Sequence, residues 1–389
     1  VNAIYGEPKM TMLPYTKAHE KFRERFQDFL AREVTPNADQ WEADHLVPRQ
    51  AWRKMGREGF LCPCMDPEYG GMGADFLHTV IGIEEMARTN QAGFLALLHS
   101  DIVVPYIETY GTPEQKQKYL PGCVSGETIT AVAMTEPDAG SDLAGMTCTA
   151  EETDGEVVIN GAKTFISNGI NCDLVVLAAR DPRQENPHQA ISLYLVEAGT
   201  PGFKKGSKLD KMGMHSQDTA ELFFTNCRIP AGNRLGEKGG GFIMLMEKLQ
   251  QERLVCAILA MAVAEHILDW TLDYCKTTQI FGKPISRSQA VQFALAEMAT
   301  EARMCRAFVE ELVMDHMAKK NVVMETSMAK YQSSDMVNRI AGRCMDLVGP
   351  FGADEACPLA RSWRDLRILP IFAGTNEIMK GIIAKSMNL

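Results

Sequence analysis

The chain has 389 residues, 46% of them hydrophobic, with 40 Lys and Arg against 50 Asp and Glu for a net charge of −10. At about 150 residues per domain that length predicts two to three folded units, and an ordinary apolar fraction without long charge blocks excludes a disordered chain. The acidic balance, with no basic stripe, excludes a nucleic-acid surface, because phosphate backbones are held by clustered Lys and Arg.

The opening segment VNAIYGEPKM has neither a basic start nor an apolar h-region, so no export signal is expected. The 11 cysteines are odd in number and scattered without a C-x-x-C pair, which suggests neither a disulfide framework nor a metal centre. A reducing compartment is expected, cytoplasmic or, in a processed eukaryotic chain, the mitochondrial matrix.

Residues 16 to 126 read as helices. Phe22, Phe26, Phe29 and Leu30 fall at helical spacing and stop before Pro36, and Thr112-Pro113-Glu114-Gln115 forms a capping box. From about 128 to 235 the texture changes to short β-rich runs: EVVING, KTFIS, DLVVLAA, ISLYLV and AELFFTNCRIP. Asn160-Gly161 between two alternating runs predicts a hairpin turn, and the section reads as an antiparallel β unit, a small barrel or sandwich. After Gly239-Gly240-Gly241 the helical period returns, with a second capping box expected at Ser286-Arg287-Ser288-Gln289. The longest apolar run, Leu254 to Ala264, falls short of the roughly 20 residues that span a bilayer and reads as a buried helix.

The predicted organisation is therefore α+β and multidomain: an N-terminal helical domain over 1–127, a middle antiparallel β domain over 128–238 and a C-terminal helical domain over 239–389. That order excludes a doubly wound nucleotide fold, and no G-x-G-x-x-G, P-loop or G-x-S-x-G is present.

One residue interrupts the helical pattern informatively. Leu245, Leu249, Cys256, Leu259 and Val263 follow one stripe, and the place seven residues after Leu245 is Glu252. A carboxylate desolvated on an apolar face has a raised pKa and suits a general base. Drift of the stripe, leaving Glu252 solvated or paired with Arg253, is the other reading of the same spacing.

The segment Ala133-Met134-Thr135-Glu136-Pro137-Asp138-Ala139-Gly140-Ser141-Asp142-Leu143-Ala144-Gly145 resembles the signature of the acyl-CoA dehydrogenase flavoproteins. Lys163 to Gly169, Met212 to Thr219 followed by Cys227-Arg228-Ile229-Pro230, Phe281 to Ile285, Leu347 to Gly352 and Phe372 to Ile378 resemble further family segments in the same order. The resemblance covers essentially the whole chain. It implies an N-terminal helical domain, a middle β domain and a C-terminal four-helix bundle. It also implies FAD as cofactor, an acyl-CoA substrate, an electron-transfer flavoprotein as electron acceptor and a homo-oligomer, a dimer or tetramer. The implied reaction is α,β-desaturation, in which a carboxylate takes the α proton while the β hydride passes to flavin N5.

Many members of that family carry the base directly before the Gly-Thr of the last segment, where this chain has Ala373. A subset that includes the long-chain and isovaleryl enzymes places it in a Glu-Arg-Leu-hydrophobic motif on the first bundle helix, which Glu252-Arg253-Leu254-Val255 resembles. The resemblance then makes Glu252 the base, the backbone N–H of Ala373 a donor to the thioester oxygen, and Ser141, Arg253 and Gly374 substrate contacts. A helix-surface salt bridge is the alternative role for Arg253. Met134, Thr135, Ser141, Phe165 and Ser167 would surround the flavin ring and its phosphate side, Thr375 and Glu377 the ribityl and phosphate region, and Thr278, Phe281, Gln289, Asp346 and Gly349 the pyrophosphate and adenine half.

Several positions depart from the pattern. Thr278 stands where relatives commonly have an Arg that meets the flavin pyrophosphate of a neighbouring subunit, Asp346 replaces a Gln, and Pro350 a second glycine. A Thr hydroxyl can bind phosphate but cannot neutralise it, so weaker FAD retention is expected. Asp101, acidic within an apolar segment, is read either as a helix cap or structural pair, or as a second base or selector for a ring, unsaturated or polar acyl group. The resemblance leaves two alternatives: a dehydrogenase of branched or alicyclic acyl-CoA with Asp101 participating, and a catalytically reduced acyl-CoA or flavin-binding protein. An oxidase of related fold also remains open.

Overall fold

The computed structural model describes residues 11–389; the segment read for an export signal, and the first ten residues of the 1–127 unit, lie outside the described residues. Six helices open the described chain: α1 (Lys17–Phe29), α2 (Ala38–Asp44), α3 (Arg49–Arg57), α4 (Phe76–Ala87), α5 (Val104–Tyr110) and α6 (Pro113–Ser125). The period that predicted α1 is the one that buries it: Phe22, Phe26 and Phe29 pack around Phe60 with ring centroids 5.5, 4.8 and 5.3 Å away. The capping box at α6 forms as expected, with the Gln115 N–H donating to Thr112 Oγ1 at 3.3 Å and the Thr112 N–H to Gln115 Oε1 at 3.0 Å. Leu98–Val103 winds as a π-helix directly into α5. Such wide turns re-aim the side chains around them, and Asp101 lies in this one.

The middle section holds β1 (Thr130–Ala133), β2 (Thr149–Thr153), β3 (Glu156–Ile166), β4 (Leu174–Arg180), the single helical turn α7 (Pro187–Ala190), β5 (Ile191–Glu197), β6 (Phe203–Lys208), β7 (Ala220–Pro230) and β8 (Arg234–Leu235). The sheet runs β6-β7-β3-β2-β4-β5-β8, and β1 pairs with β4 off that path. The antiparallel expectation needs correction: β1 runs parallel to β4. Its chain leaves through a long loop rather than a hairpin, so nothing forces the two strands to oppose. The sheet curls on its own core, in which Phe203 of β6, Val175 of β4 and Tyr194 of β5 meet, while β6 and β8 end the path unjoined to each other.

The expected hairpin at Asn160-Gly161 is also corrected. Those residues lie inside β3, at an irregularity in its pairing with β7, and Gly161 takes a φ of +147° with its backbone against Cys148. The turn between β2 and β3 is Asp154-Gly155 instead, with φ of +52° and +81°, the pair of left-handed residues that a two-residue hairpin requires.

The C-terminal part comprises α8 (Gly241–Thr277), a short hairpin of β9 (Gln279–Ile280) and β10 (Lys283–Pro284), α9 (Gln289–Met317), α10 (Val323–Val348), α11 (Pro358–Asp365) and α12 (Asn376–Ser386). Here α10 packs against α8, α9 and α12. The run 254–264 is buried within α8 as expected, although α8 as a whole is long and apolar enough to cross a bilayer. Since 78% of its most apolar window is covered by the protein, it is a core helix. The capping box expected at Ser286 does not form: Ser288 is the N-cap and Gln289 the first helical residue, because 285–287 turn as a 3-10 helix.

A buried charge cluster ties the first helices to this bundle. Arg306 of α9, 1% exposed, donates to Glu84 of α4 at 3.0 Å, to Glu310 at 3.0 Å and to Glu265 of α8. Removing the arginine would strand carboxylates in a low-dielectric interior, which costs about 3–5 kcal/mol. The cluster fixes α4 against α8, the helix that carries the candidate base.

Candidate active site

Glu252 occupies the buried face of α8, 5% exposed, with Leu245, Leu249 and Cys256 buried on the same stripe. Leu259 and Val263 further along the stripe are half-buried, but the stripe does not leave Glu252 in solvent. Tyr106 of α5 donates its hydroxyl to Glu252 Oε1 at 2.8 Å. Burial raises the Glu252 carboxyl to about 7, against the opposing pull of that hydrogen bond and of Arg253 and Lys248. At neutral pH such a carboxylate is poised to take a proton.

Arg253 is not on the helix surface, which corrects the salt-bridge reading. It is 5% exposed, its Nε has no hydrogen-bond partner, and Nη1 reaches only Ser327 Oγ at 3.5 Å. Among the described residues no carboxylate lies within ion-pair distance of it. Burial pulls its pKa down, with Glu252 opposing. A buried guanidinium without a counterion is a costly arrangement unless an anionic ligand completes it.

The turn before α12 comes against the same region. Ala373 and Gly374 both lie in the left-handed region, with φ of +53° and +92°, and Thr375 caps α12 by accepting from the Ile378 N–H at 3.3 Å. Among the described residues the Ala373 and Gly374 N–H groups donate to no protein acceptor. Lys330 of α10, 1% exposed, donates to the Gly374 carbonyl at 2.6 Å and to Asn376 Oδ1 at 3.1 Å. Burial pulls its ammonium down to about 8, Cys256 opposing and Arg253 adding to the fall. Lys330 thus joins the 373–376 turn to the α8 face that bears Arg253 and Cys256.

Neither Tyr106 nor Lys330 was singled out by sequence. The signal for Lys330 was present all the same: Thr326, Ala329, Lys330, Ser333 and Val337 form one buried face of α10, interrupted by a cation as the α8 stripe is by Glu252.

A second group gathers where β1 and β3 end. Met134 and Thr135 follow β1 and are half-buried, Ser141 is exposed, and Ser167 is half-buried just after β3. The Thr164 N–H donates to the Thr135 carbonyl at 2.9 Å, so the two stretches are adjacent. Buried Lys163 anchors them, donating to the Met134 carbonyl at 2.9 Å and to Glu136 at 2.8 Å. Glu136 in turn accepts from the Thr147 and Cys148 N–H groups at 2.6 and 3.0 Å. Phe165 sits on this frame at φ +57° and 68% exposed. A bulky residue held left-handed and exposed is a conformation that clusters at ligand sites. The hydroxyls of Thr135, Ser141 and Ser167 engage no other described residue, so an aromatic face and uncommitted donors stand together, a donor set that fits a flat, polar-edged ring.

The remaining expected cofactor residues are not brought to this place. Thr278, at the far end of α8, is about 39 Å along the helix axis from Glu252 at 1.5 Å per residue. Phe281 and Gly282 form the tip of the β9–β10 hairpin, and Phe281 is 101% exposed with φ +51°. Gln289, Asp346 and Gly349 are exposed at the same end of the bundle, and Glu377 is exposed at the start of α12. Within one chain, then, 278–289 and 346–349 form a separate group from the two described above.

Asp101 is half-buried, accepts from Thr79 Oγ1 of α4 at 2.6 Å, and is pushed by burial up to about 7 against that bond. It caps no helix. Its backbone carbonyl accepts from Gln251 Nε2 at 2.7 Å, which sets it beside the residue preceding Glu252. It lines a cavity with Phe26, Phe60, Met86 and Leu97, and Met86 and Leu97 also wall a cleft bordered by Leu259 and Val263 of the α8 stripe. Elsewhere, His19, Asp75 and His78 bring possible ligand atoms within 4.8 Å of one another. The Thr16 N–H donates to His19 Nδ1 at 2.9 Å, so Nε2 must carry the proton given to Asp75, and the ring is not a free ligand.

Comparison with known proteins agrees along the whole chain. The N-terminal, middle and C-terminal domain models of acyl-CoA dehydrogenase match residues 16–127, 131–227 and 239–388. The chain is similar to the mitochondrial long-chain specific acyl-CoA dehydrogenase of Mus musculus, 43% identical over 96% of this chain and 87% of the relative. Its fold is similar to the crystal structure of an acyl-CoA dehydrogenase from Geobacillus kaustophilus, with a TM-score of 0.96 and 50% identity over 97% of this chain and all of the other. It is also similar to the FAD complex of PigA, with a TM-score of 0.91 and 26% identity over 97% of this chain and 100% of that one. With helices, curled sheet and helical bundle in the same order, the chain belongs to the acyl-CoA dehydrogenase family.

Proposed function

We propose that the protein is an FAD-dependent dehydrogenase that introduces an α,β double bond into an acyl-CoA thioester, with Glu252 as the base. The observation that carries this reading is the buried Glu252 with its carboxyl raised to about 7, beside Arg253, a buried cation with no carboxylate at ion-pair distance among the described residues. Ala373, at the other place where family members carry the base, has no side chain able to move a proton.

Glu252 takes the α proton. Charge then builds on the thioester oxygen, and the unclaimed Ala373 N–H is the protein's donor to it, a contact that strengthens as the charge grows. Arg253 holds the anionic CoA arm, with Ser141 and Gly374 as further substrate contacts. FAD, when bound, supplies the acceptor for the β hydrogen and its electron pair at N5. Met134, Thr135, Ser141, Phe165 and Ser167 would hold its ring, with Thr375 and Glu377 nearer the ribityl and phosphate part. The distance along α8 supports a homo-oligomer in which Thr278, Phe281, Gln289, Asp346 and Gly349 serve the cofactor of a neighbouring copy. Electron-transfer flavoprotein is the acceptor we assign, and a reducing compartment, cytoplasmic or mitochondrial matrix, the location. The domain division at 1–127, 128–238 and 239–389 is part of the same proposal.

A second reading is favoured by Asp101, a raised carboxyl lining an apolar cavity: a branched or alicyclic acyl-CoA, with Asp101 participating. An anaerobic screen of straight, branched and cyclic acyl-CoAs for flavin bleaching separates the two. Glu252→Gln should nearly abolish bleaching while FAD and CoA still bind. Bleaching retained in that variant would move the base elsewhere, with Asp101→Asn the next test.

A further inference from the structure

We propose that Lys330 is a positioning residue for the reaction, holding the Ala373–Gly374 turn so that the Ala373 N–H faces the thioester oxygen. The inference rests on the assignment of Glu252 and Ala373 made above. Its ground is an ammonium 1% exposed whose hydrogen bonds go to the Gly374 carbonyl at 2.6 Å and Asn376 Oδ1 at 3.1 Å. Among the described residues no carboxylate lies within ion-pair distance of it.

A protein rarely buries a lysine without a counterion, because desolvation of the charge is expensive. Core packing alone would be served better by Met or Leu. What Lys330 provides is a donor to the carbonyl of Gly374, the second of two successive left-handed residues, a conformation that costs about 1–3 kcal/mol per non-glycine residue unless the surroundings fix it. Asn376 completes the brace: its Nδ2 donates to Ser334 Oγ at 3.0 Å and to Asp335 Oδ1 at 2.8 Å. The turn is thereby fastened to α10, which packs on α8. The donor to the oxygen and the base that creates its charge are thus held on one rigid pair of helices. Misplacing such a donor weakens the charged form more than the neutral thioester, so the loss should fall mainly on kcat and less on KM.

The test compares Lys330→Met with Lys330→Gln, which keeps a donor but no charge, in the FAD-loaded enzyme. Alongside kcat and KM for a good acyl-CoA, a 3-thiaacyl-CoA is used, whose β sulfur leaves no hydrogen to transfer. Its α-deprotonation is read by exchange of the α hydrogens with D2O, by mass spectrometry, and by long-wavelength absorption of the enzyme-bound anion. For Lys330→Met we expect kcat to fall about ten-fold or more with KM changed less than about three-fold, the long-wavelength band to be lost, and flavin content to be kept. Lys330→Gln should recover part of kcat and of the band. The proposal is overturned if Lys330→Met stays within about two-fold of native kcat with its band intact, or if both variants lose kcat, flavin and melting temperature together, as a merely structural role requires. Should Lys330→Met fail to fold, native kcat and band in Lys330→Gln overturn it and a selective fall in both supports it. Glu252→Gln in the same exchange assay keeps the two assignments apart. Exchange lost there but native in the Lys330 variants removes Lys330 alone, whereas exchange retained in Glu252→Gln removes the base assignment.

Discussion

The stretch of α8 around Glu252, in the first third of the helix, and the far end of the helix are built on opposite terms. Around Glu252 the helix is enclosed: a carboxylate 5% exposed, a guanidinium 5% exposed and, on the neighbouring α10, a lysine 1% exposed are buried there, with no ion pair to any of them among the described residues. At the far end the chain leaves the helix at Thr278 and offers Phe281 wholly to solvent. The first contains strained electrostatics that a single chain already satisfies in part. The second keeps its backbone bonded, with the Ile285 N–H donating to the Thr278 carbonyl at 3.0 Å, but presents the Phe281 side chain to no other described residue. The difference teaches that a residue can belong to a site that its own chain does not form, and that burial, rather than distance in sequence, separates the two cases.

The enclosed end should break first and hardest. Removing a general base costs about 10²–10⁴-fold in rate, so Glu252→Gln should lower anaerobic flavin bleaching by that range. The same substitution should stabilise the fold. Because the folded-state carboxyl lies near 7, above its ordinary 4.5, the native protein binds more protons than the unfolded chain between those values, and stability falls as pH rises through that window. At pH 8 the carboxylate costs about 3 kcal/mol, so the melting temperature of Glu252→Gln should exceed the native one at pH 8 and approach it near pH 4.5. An equal difference at both pH values would show that Glu252 is not paying a desolvation cost.

Tyr106 sharpens the comparison with a smaller effect. Its hydroxyl favours the charged carboxylate, so Tyr106→Phe should raise the Glu252 pKa and move the rising limb of kcat/KM to higher pH. Activity should fall several-fold on the acid side and recover on the alkaline side. A uniform loss at every pH would assign Tyr106 to packing.

Much of the enclosed end was legible because it is a violation of pattern: a charge on an apolar stripe stands out at helical spacing. Tyr106 did not stand out, since a tyrosine among apolar residues is ordinary and only the meeting of α5 with α8 gives its hydroxyl a partner. Lys330 was legible in principle and overlooked, because Ser and Ala on its face look less like a core than Leu and Val. The helix, sheet and helix order was readable from texture, but not the parallel pairing of β1 with β4. A strand's composition does not say which neighbour it finds across a long loop. The Asn160-Gly161 signal failed for a related reason: close packing against Cys148 requires a glycine there as firmly as a turn does, and Asp154-Gly155 supplied the turn.

At the exposed end the expected effects are on binding. Thr278 offers a hydroxyl where a phosphate-bearing cofactor of a neighbouring copy would be met by a cation in many family members. Thr278→Arg should therefore slow flavin loss on dilution, by several-fold for a partly screened charge worth about 1 kcal/mol. Unchanged retention would mean that the pyrophosphate is not near residue 278.

The smallest effect within a single chain is expected at Phe281, and its size depends on protein concentration. The side chain is 101% exposed, so truncation to Ala removes no apolar burial that this chain achieves alone, and its unfolding free energy should change by less than about 0.5 kcal/mol. If a neighbouring copy covers the hairpin tip, the same truncation forfeits a buried aromatic, worth about 3 kcal/mol or more where the fit is close. That loss appears only as easier dissociation and faster flavin release on dilution. Melting and sedimentation of Phe281→Ala at high and low concentration distinguish the cases. A loss of stability equal at both concentrations would make the hairpin part of the chain's own fold and erase the contrast along α8. A loss confined to the assembled state would show that the far end is completed from outside.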